Sequence, residues 1–500
     1  MSLPDQFAFA PGKAYPRVIA TSPQQYLDAV LAAERHIAAH QRENEDGVYW
    51  ADELCDDTHI TLYSGATGIL YFYLELYRIT GDERFGEIVR KATRFLERNW
   101  RATTVPDEDH HLFPSAHYEE ANGGAYPGEE FSLKLGPGGV GSILLRVYQR
   151  YPSDELRATL EDIGRYLDEH AVKDEKGARW SGNTGVYLDG GSFLYLALLF
   201  EEFHDKAIGE LIDGYGRYLL STIQEQPDDT VIADGTNLYR SFSMPNQEAG
   251  TSGGGYQLSR LYQLTGDERY LKAAEGAARY IEKIAVPQDK GYLIPARIEG
   301  DGTVFRGNSD LSDPAGDGST QHGDLPVTYT NPLFYLGDCN GVAGTSRLFY
   351  NLYAITGDRT WLDPVYALTD GLESIGAPEH QSAGLWNGSH YCDGLSSVLP
   401  YFAGMAVVTG EDRWRDLVKR TADVLLGVAE HRTGGDGEDE IVWPVAWERI
   451  WPNDLSVSLG LYTGSAGIAA ALLQAYALLD GRFTWDRLAD DPWPTEASRR

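Results

Sequence analysis

A chain of 500 residues with 42% hydrophobic content can bury a large core, and no apolar run in it approaches the roughly 18–20 residues that span a bilayer. The formal charge of −33 is carried with 10 Lys against 32 Arg and no basic patch, which argues against nucleic acid as a partner. Three cysteines (Cys55, Cys339 and Cys392) are too few for a disulfide framework, so paired thiols are read as metal ligands or reactive groups.

The first residues, "MSLPDQFAFAPGKAYP", lack the basic region and apolar stretch of a secretory signal, so cytoplasmic residence is expected, with residues 1–21 as an N-terminal extension. The acidic, lysine-poor surface suits either a salt-rich cytoplasm or an ordinary acidic enzyme. "SPQQYLDAVLAAERHIAAHQ" then predicts a helix with Ser22 as cap, Pro23 at the first helical position and Gln25 completing a capping box.

From here one pattern recurs seven times. Its copies begin at Gly65 in "SGATGILYFYLELYRITGD", Gly138 in "PGGVGSILLRVYQRYPSD" and Gly190 in "LDGGSFLYLALLFEEFHD". Gly250 follows in "AGTSGGGYQLSRLYQLTGD", then Gly341 in "CNGVAGTSRLFYNLYAITGD", Gly394 in "CDGLSSVLPYFAGMAVVTGED" and Gly464 in "TGSAGIAAALLQAYALLDG". In four copies the closing glycine lies 16 residues after the first. Each copy reads as a buried inner helix of about 12 residues, apolar on nearly every side. Gly81, Gly266, Gly357 and Gly410 suit a left-handed helix end, and Asp82, Asp267 and Asp358 can cap the helix that follows.

The following helices, such as "DERFGEIVRKATRFLERNW" and "DERYLKAAEGAARYIEKIA", are amphipathic and read as outer helices. Seven inner and seven outer helices predict one all-α domain, an α/α toroid over residues 22–485, closed because an open stack would need polar capping repeats. An insertion at about 286–336, rich in Gly, Asp and Pro, is expected to be a lid, and residues 486–500 a C-terminal tail.

The residue before the first glycine is expected at the ring mouth in every unit: Ser64, Pro137, Asp189, Ala249, Asn340, Asp393 and Thr463. Cys339 and Cys392 lie one residue further back on units five and six, which are neighbours, so two thiols should converge. A helix amino terminus lowers a thiol pKa, and two thiolates call for a cation, for which Zn²⁺ is usual. The third ligand is Asp393, or His390 if its loop folds back. The plainer alternatives are that the cysteines are small buried hydrophobes and that Asp189 and Asp393 are helix caps. Cys55, ten residues before its glycine and on another unit, is read as structural.

These repeats, with "DCNGVAGTSRLFYNLYAITGD" and "YCDGLSSVLPYFAGMAVVTGED" most specific, resemble the lanthionine synthetase C-like family over about residues 20–485. The resemblance implies a seven-fold toroid holding zinc through a Cys on unit five and a Cys-His pair on unit six. In the family's bacterial cyclases this metal activates a peptide cysteine for addition to dehydroalanine or dehydrobutyrine, forming a thioether, and the resemblance implies the same chemistry here. Cys339 and Cys392 match two ligands, while the family's Cys-His-Gly reads Cys392-Asp393-Gly394. Further departures are Ala249 where the cyclases carry a His, Asn340 where an aromatic or His follows the Cys, and Tyr335 where they carry an Arg. Asp189 sits near the family's unit-three acid.

With Asp393 as ligand the site would stand at −1 rather than zero, a weaker Lewis acid. Proton transfer would then fall to Asp189, Asp393 or water. The expected function is therefore zinc-dependent activation of a thiol on a peptide or small-molecule substrate. The alternatives are a carbohydrate-active toroid, glycosidase or epimerase, using Asp189 and Asp393 as a carboxylate pair, and a degenerate member that binds a peptide without catalysis.

Overall fold

The computed structural model describes residues 14–51, 60–104, 129–235, 242–299, 334–380, 385–386, 388–435, 437–446 and 455–494. Cys55 and most of the expected lid, residues 300–333, lie outside the described residues. Among the described residues fourteen α-helices alternate between an outer and an inner layer.

The outer helices are α1 (Gln24–Ala39), α3 (Glu83–Asn99), α5 (Asp154–His170), α7 (Lys206–Thr222), α9 (Glu268–Lys283), α11 (Asp363–Ser374) and α13 (Asp412–Gly427). The inner ones are α2 (Ala66–Thr80), α4 (Pro137–Arg150), α6 (Asp189–Phe203), α8 (Thr251–Thr265), α10 (Val342–Thr356), α12 (Val398–Thr409) and α14 (Ser465–Leu479). Each inner helix touches the next, and α14 packs on both α1 and α2, so the ring closes as a seven-fold α/α toroid.

The two layers follow from composition. On α3 the buried residues Phe85, Val89, Ala92, Phe95 and Leu96 recur at helical spacing and form one stripe. On α14 every residue from Ser465 to Leu478 is buried, as an all-round apolar helix must be. Inner helices end as expected, with Gly81, Gly266, Gly357 and Gly410 in the left-handed region at φ 67°, 70°, 72° and 71°. The Asp82, Asp267 and Asp358 side chains cap the next helices by accepting from the N–H groups of Arg84, Arg269 and Thr360.

The expected capping box of α1 is half formed. Gln25 Oε1 accepts from the Thr21 and Ser22 N–H groups, but no side chain caps the helix and Pro23 takes the cap position. Five outer helices hand the chain back to the mouth through short antiparallel hairpins, for example Gln41–Asn44 with Gly47–Trp50.

The paired glycines of the repeat have a steric cause. A Cβ on Gly344 would overlap the Asp338 carbonyl oxygen, and Gly139, Gly253 and Gly467 meet the carbonyls of Leu133, Gln247 and Leu461 in the same way. The first turn of each inner helix therefore lies directly against the loop that feeds it. These pairs also fix the register of unit two. Its helix is capped at Gly136 with Pro137 in the first turn, so the unit starts two residues before Gly138, the start read from the sequence.

Residues 482–494 cross the inner face of the ring. Tyr71 Oη donates to the Asp486 carbonyl (2.8 Å), Arg146 Nε to that of Arg487 (2.9 Å), and Arg347 Nη1 to Asp490 Oδ2 (2.6 Å). The Trp493 ring stands 4.4 Å from Tyr350 and 5.2 Å from Tyr401. Residues 486–494 thus belong to the packed interior.

Two stability predictions follow from these contacts. Gly344→Ala should cost about 1–3 kcal/mol or more through overlap, and Gly357→Ala about 1–2 kcal/mol through left-handed strain. Gly435→Ala, where a Cβ meets nothing within 4 Å, should stay within about 0.5 kcal/mol in urea unfolding. Burial also pushes the Asp491 carboxyl from 3.8 to about 6. The folded chain then holds a proton that the unfolded chain has released, so stability should fall as pH rises through that window. Asp491→Asn should flatten that fall in thermal melts between pH 4 and 7.

Candidate metal centre at the ring mouth

Six backbone hydrogen bonds tie the seven loops that lead into the inner helices. The N–H of Tyr187 donates to the carbonyl of Glu248 (3.0 Å), Glu248 to Cys339 (2.9 Å) and Cys339 to Cys392 (3.1 Å). Cys392 donates to Tyr462, Tyr462 to Tyr63 and Tyr63 to Lys134, each at 3.0 Å. One residue from every repeat thus joins a ring-shaped arc, bonded in order from Tyr187 round the mouth to Lys134. The seven are Tyr63, Lys134, Tyr187, Glu248, Cys339, Cys392 and Tyr462.

In six of the units this position is two residues before the glycine that caps the inner helix, or before Gly394 in unit six. It is one residue before the expected mouth position in units one, four, five, six and seven, and three before it in unit two, where Lys134 stands in place of Pro137. The arc accounts for the convergence of the two cysteines. Cys339 and Cys392 are 5% and 6% exposed, unpaired by disulfide, and together with Glu248 they place one sulfur each and a carboxylate oxygen all within 4.8 Å of one another.

Donors arranged tetrahedrally around zinc at about 2.0–2.3 Å stand about 3.3–3.8 Å apart. Contraction by about an ångström, within reach of the Glu248 side chain, would bring the three onto one ion. The donor set therefore fits zinc with a fourth position open.

Neither Asp393 nor His390 is in this three-donor group. They face each other, His390 Nε2 standing 3.0 Å from Asp393 Oδ1, with the His390 side chain 1% exposed and that of Asp393 15%. Asp189 is fully buried and holds its own loop. Its oxygens accept from the N–H groups of Trp180 (3.0 Å), Ser181 (2.7 Å) and Gly182 (2.9 Å) and from Ser181 Oγ (2.6 Å). Burial raises the Asp189 pKa, and these four donors oppose the rise.

Electrostatics at the mouth overturn one expectation. The helix amino terminus does not dominate the Cys339 thiol. The hydrogen bond with Cys392, burial and the nearby charges of Cys392, Asp393 and Glu248 push it well above the ordinary thiol range. A second thiolate here needs a cation beside it. Burial raises the Tyr63 phenol as well, reinforced by Cys392, Glu248 and Asp393.

Five of the seven, Tyr63, Lys134, Tyr187, Glu248 and Tyr462, are not among the sequence-derived candidates, and Lys134 and Glu248 are the two that carry charge. Lys134 is 3% exposed, and its Nζ lies 2.6 Å from Glu248 Oε1 and 3.5 Å from Asp338 Oδ2. It also lies 4.2 Å from the centre of the Tyr462 ring. Asp338 in turn pairs with Arg347, which pairs with Asp490. Aligning Gly136–Gly139 with Gly341–Gly344 would have put Lys134 level with Cys339. Glu248 stands in "QEAGTSGG" directly before Ala249 and two residues ahead of Gly250, the spacing of Cys339 to Gly341.

A closed α/α toroid with a thiol and carboxylate cluster at its mouth defines the class. The family model described as Lanthionine synthetase C-like protein matches residues 56–442, and the chain belongs to that family. No curated protein matches the chain. Among solved structures it is similar to nisin cyclase, at 13% identity over 91% of this chain and 97% of that one, with a TM-score of 0.52. A GH76A α-1,6-mannanase from Salegentibacter sp. HEL1_6 is 12% identical over 91% of this chain and 99% of that one (TM-score 0.42). Cellobiose 2-epimerase from Bacillus thermoamylovorans B4167 is 13% identical over 70% and 86% (TM-score 0.39). These likenesses concern the fold.

Asp189→Ala should lower unfolding free energy by at least about 2 kcal/mol, because four donors lose an anionic acceptor. Chemical denaturation of the purified variant measures this.

Proposed function

We propose that this protein is a zinc-dependent lanthionine synthetase C-like enzyme that adds a thiol to a dehydroamino acid or comparable electrophile. The convergence of two buried thiols and a carboxylate on one repeat position carries the reading. Cys339, Cys392 and Glu248 would hold the ion, and bound zinc would lower the pKa of a substrate thiol at the open position. Addition forms one S–C bond and delivers one proton to the α-carbon, with no change of oxidation state and no leaving group.

The protein side of that chemistry is proton handling and exclusion of water. Tyr63, Tyr462 and Tyr391 line the mouth as buried aromatic rings, with Tyr63 and Tyr462 stacked at 5.4 Å. The His390–Asp393 pair, which flanks Cys392 in the chain, is the group we assign to proton transfer at Asp393 Oδ1. Asp189 is assigned a bracing role, since its oxygens are already engaged. That engagement also weakens the carbohydrate reading, which needs Asp189 as an acid or base.

Free thiols at 339 and 392 suit a reducing compartment, in keeping with the cytoplasmic residence expected from the sequence. No helix among the described residues is long and apolar enough to cross a membrane. The substrate we assign is a peptide or small thiol with its electrophile.

Mild purification followed by metal analysis should find about one zinc per chain, retained weakly in Glu248→Gln and lost in Cys339→Ala and Cys392→Ala. Wild-type protein should couple a thiol to a dehydroalanine peptide, and chelation should stop it. Wild-type protein without stoichiometric zinc, together with unchanged turnover in Cys339→Ala, would overturn the reading.

A further inference from the structure

Resting on the metal reading above, we infer that Lys134 is the outer partner of the metal site, a cation that anchors Glu248 as a ligand and offsets the charge the carboxylate brings. Lys134 occupies the same repeat position as the three donors and reaches across the mouth from unit two to unit four. Its Nζ holds Glu248 Oε1 at 2.6 Å. That contact engages one carboxylate oxygen and leaves the other available to an ion.

The lysine is itself held from several sides. Asp338 Oδ2 stands 3.5 Å away and the Tyr462 ring lies 4.2 Å from Nζ, so the ammonium has a fixed place rather than a flexible surface reach. Asp338 precedes Cys339 directly, so the lysine bridges the loops of a thiol ligand and of the carboxylate ligand. Two carboxylates, those of Glu248 and Asp338, face Nζ directly.

Charge balance supplies the second line of argument. Two thiolates, one carboxylate and Zn²⁺ sum to −1, and Lys134 brings the group to zero. A site with a neutral imidazole as third ligand reaches the same total without help. Ligating carboxylates and imidazoles are commonly fixed by outer hydrogen-bond partners, whose loss costs about 10–100-fold in metal affinity. Lys134 is thus a positioning residue, acting through Glu248.

The test is a double-mutant cycle on the full chain, read by Zn²⁺ competition against a chromophoric chelator and by the absorption spectrum of the Co²⁺-loaded protein. Lys134→Met should weaken zinc by about 10–100-fold. Its cobalt ligand-field bands should move to those of Glu248→Gln, while the sulfur-to-cobalt charge-transfer band persists. Lys134→Arg should stay close to wild type, and the double variant should bind no more weakly than Glu248→Gln alone. Where the methionine variant does not fold, Lys134→Gln, whose amide can still donate to both carboxylates, replaces it under the same criteria with a smaller loss expected.

Equal affinity in Lys134→Met, wild-type cobalt bands in that variant, or full additivity with Glu248→Gln would each overturn the role of Lys134 while leaving the zinc reading intact. A wild-type chain that binds neither metal overturns both.

Discussion

The arc of backbone hydrogen bonds at the mouth is the constraint on which the remaining structure turns. Side chains on seven separate loops would not share one small volume unless the loops themselves were fixed. Here each loop is pinned twice, to its neighbour through a peptide bond's N–H and carbonyl, and to its own helix through a glycine with no room for a Cβ. Buried backbone groups must be paired somewhere, and pairing them along the arc turns that obligation into placement. Cys339, Cys392, Glu248 and Lys134 owe their proximity to it.

Beneath this arc runs a line of buried charge, from Glu248 through Lys134, Asp338 and Arg347 to Asp490. Signs alternate along it, so each ion has an opposite neighbour and pays for its loss of water locally. Removing one member of such a pair costs more than the pair itself contributes. The arrangement ties the chemistry at the mouth to the segment that fills the lower part of the ring.

Much of the architecture was legible in the residues because glycine spacing, apolar runs and left-handed helix ends each leave local marks. "TGD" closes an inner helix at Gly81, Gly266 and Gly357 for reasons contained within a few residues. The site was legible only in part. Cys339 and Cys392 stand out because cysteine is rare here, but Lys134 looks like any lysine until unit two is set in register at Gly136. Asp189 and Asp393 invited functional roles by type, and their partners, the loop amides at 180–182 and His390, are visible only in three dimensions. The thiol pKa went the other way for the same reason: a helix end can be read from sequence, while a second sulfur and two carboxylates converging on it cannot.

The segment at 482–494 has a consequence for how the molecule is made. Tyr71 finds its hydrogen-bond partner at Asp486, 415 residues later. At a synthesis rate of about 5–20 residues per second, the first inner helix waits about 20–80 s on the ribosome before the segment that fills the ring exists. During that interval the apolar faces of the early hairpins have no final partner, and contacts so distant in sequence form slowly. The earliest hairpins are thus the ones left exposed longest, and their apolar faces are the part of the chain most open to aggregation before the ring closes.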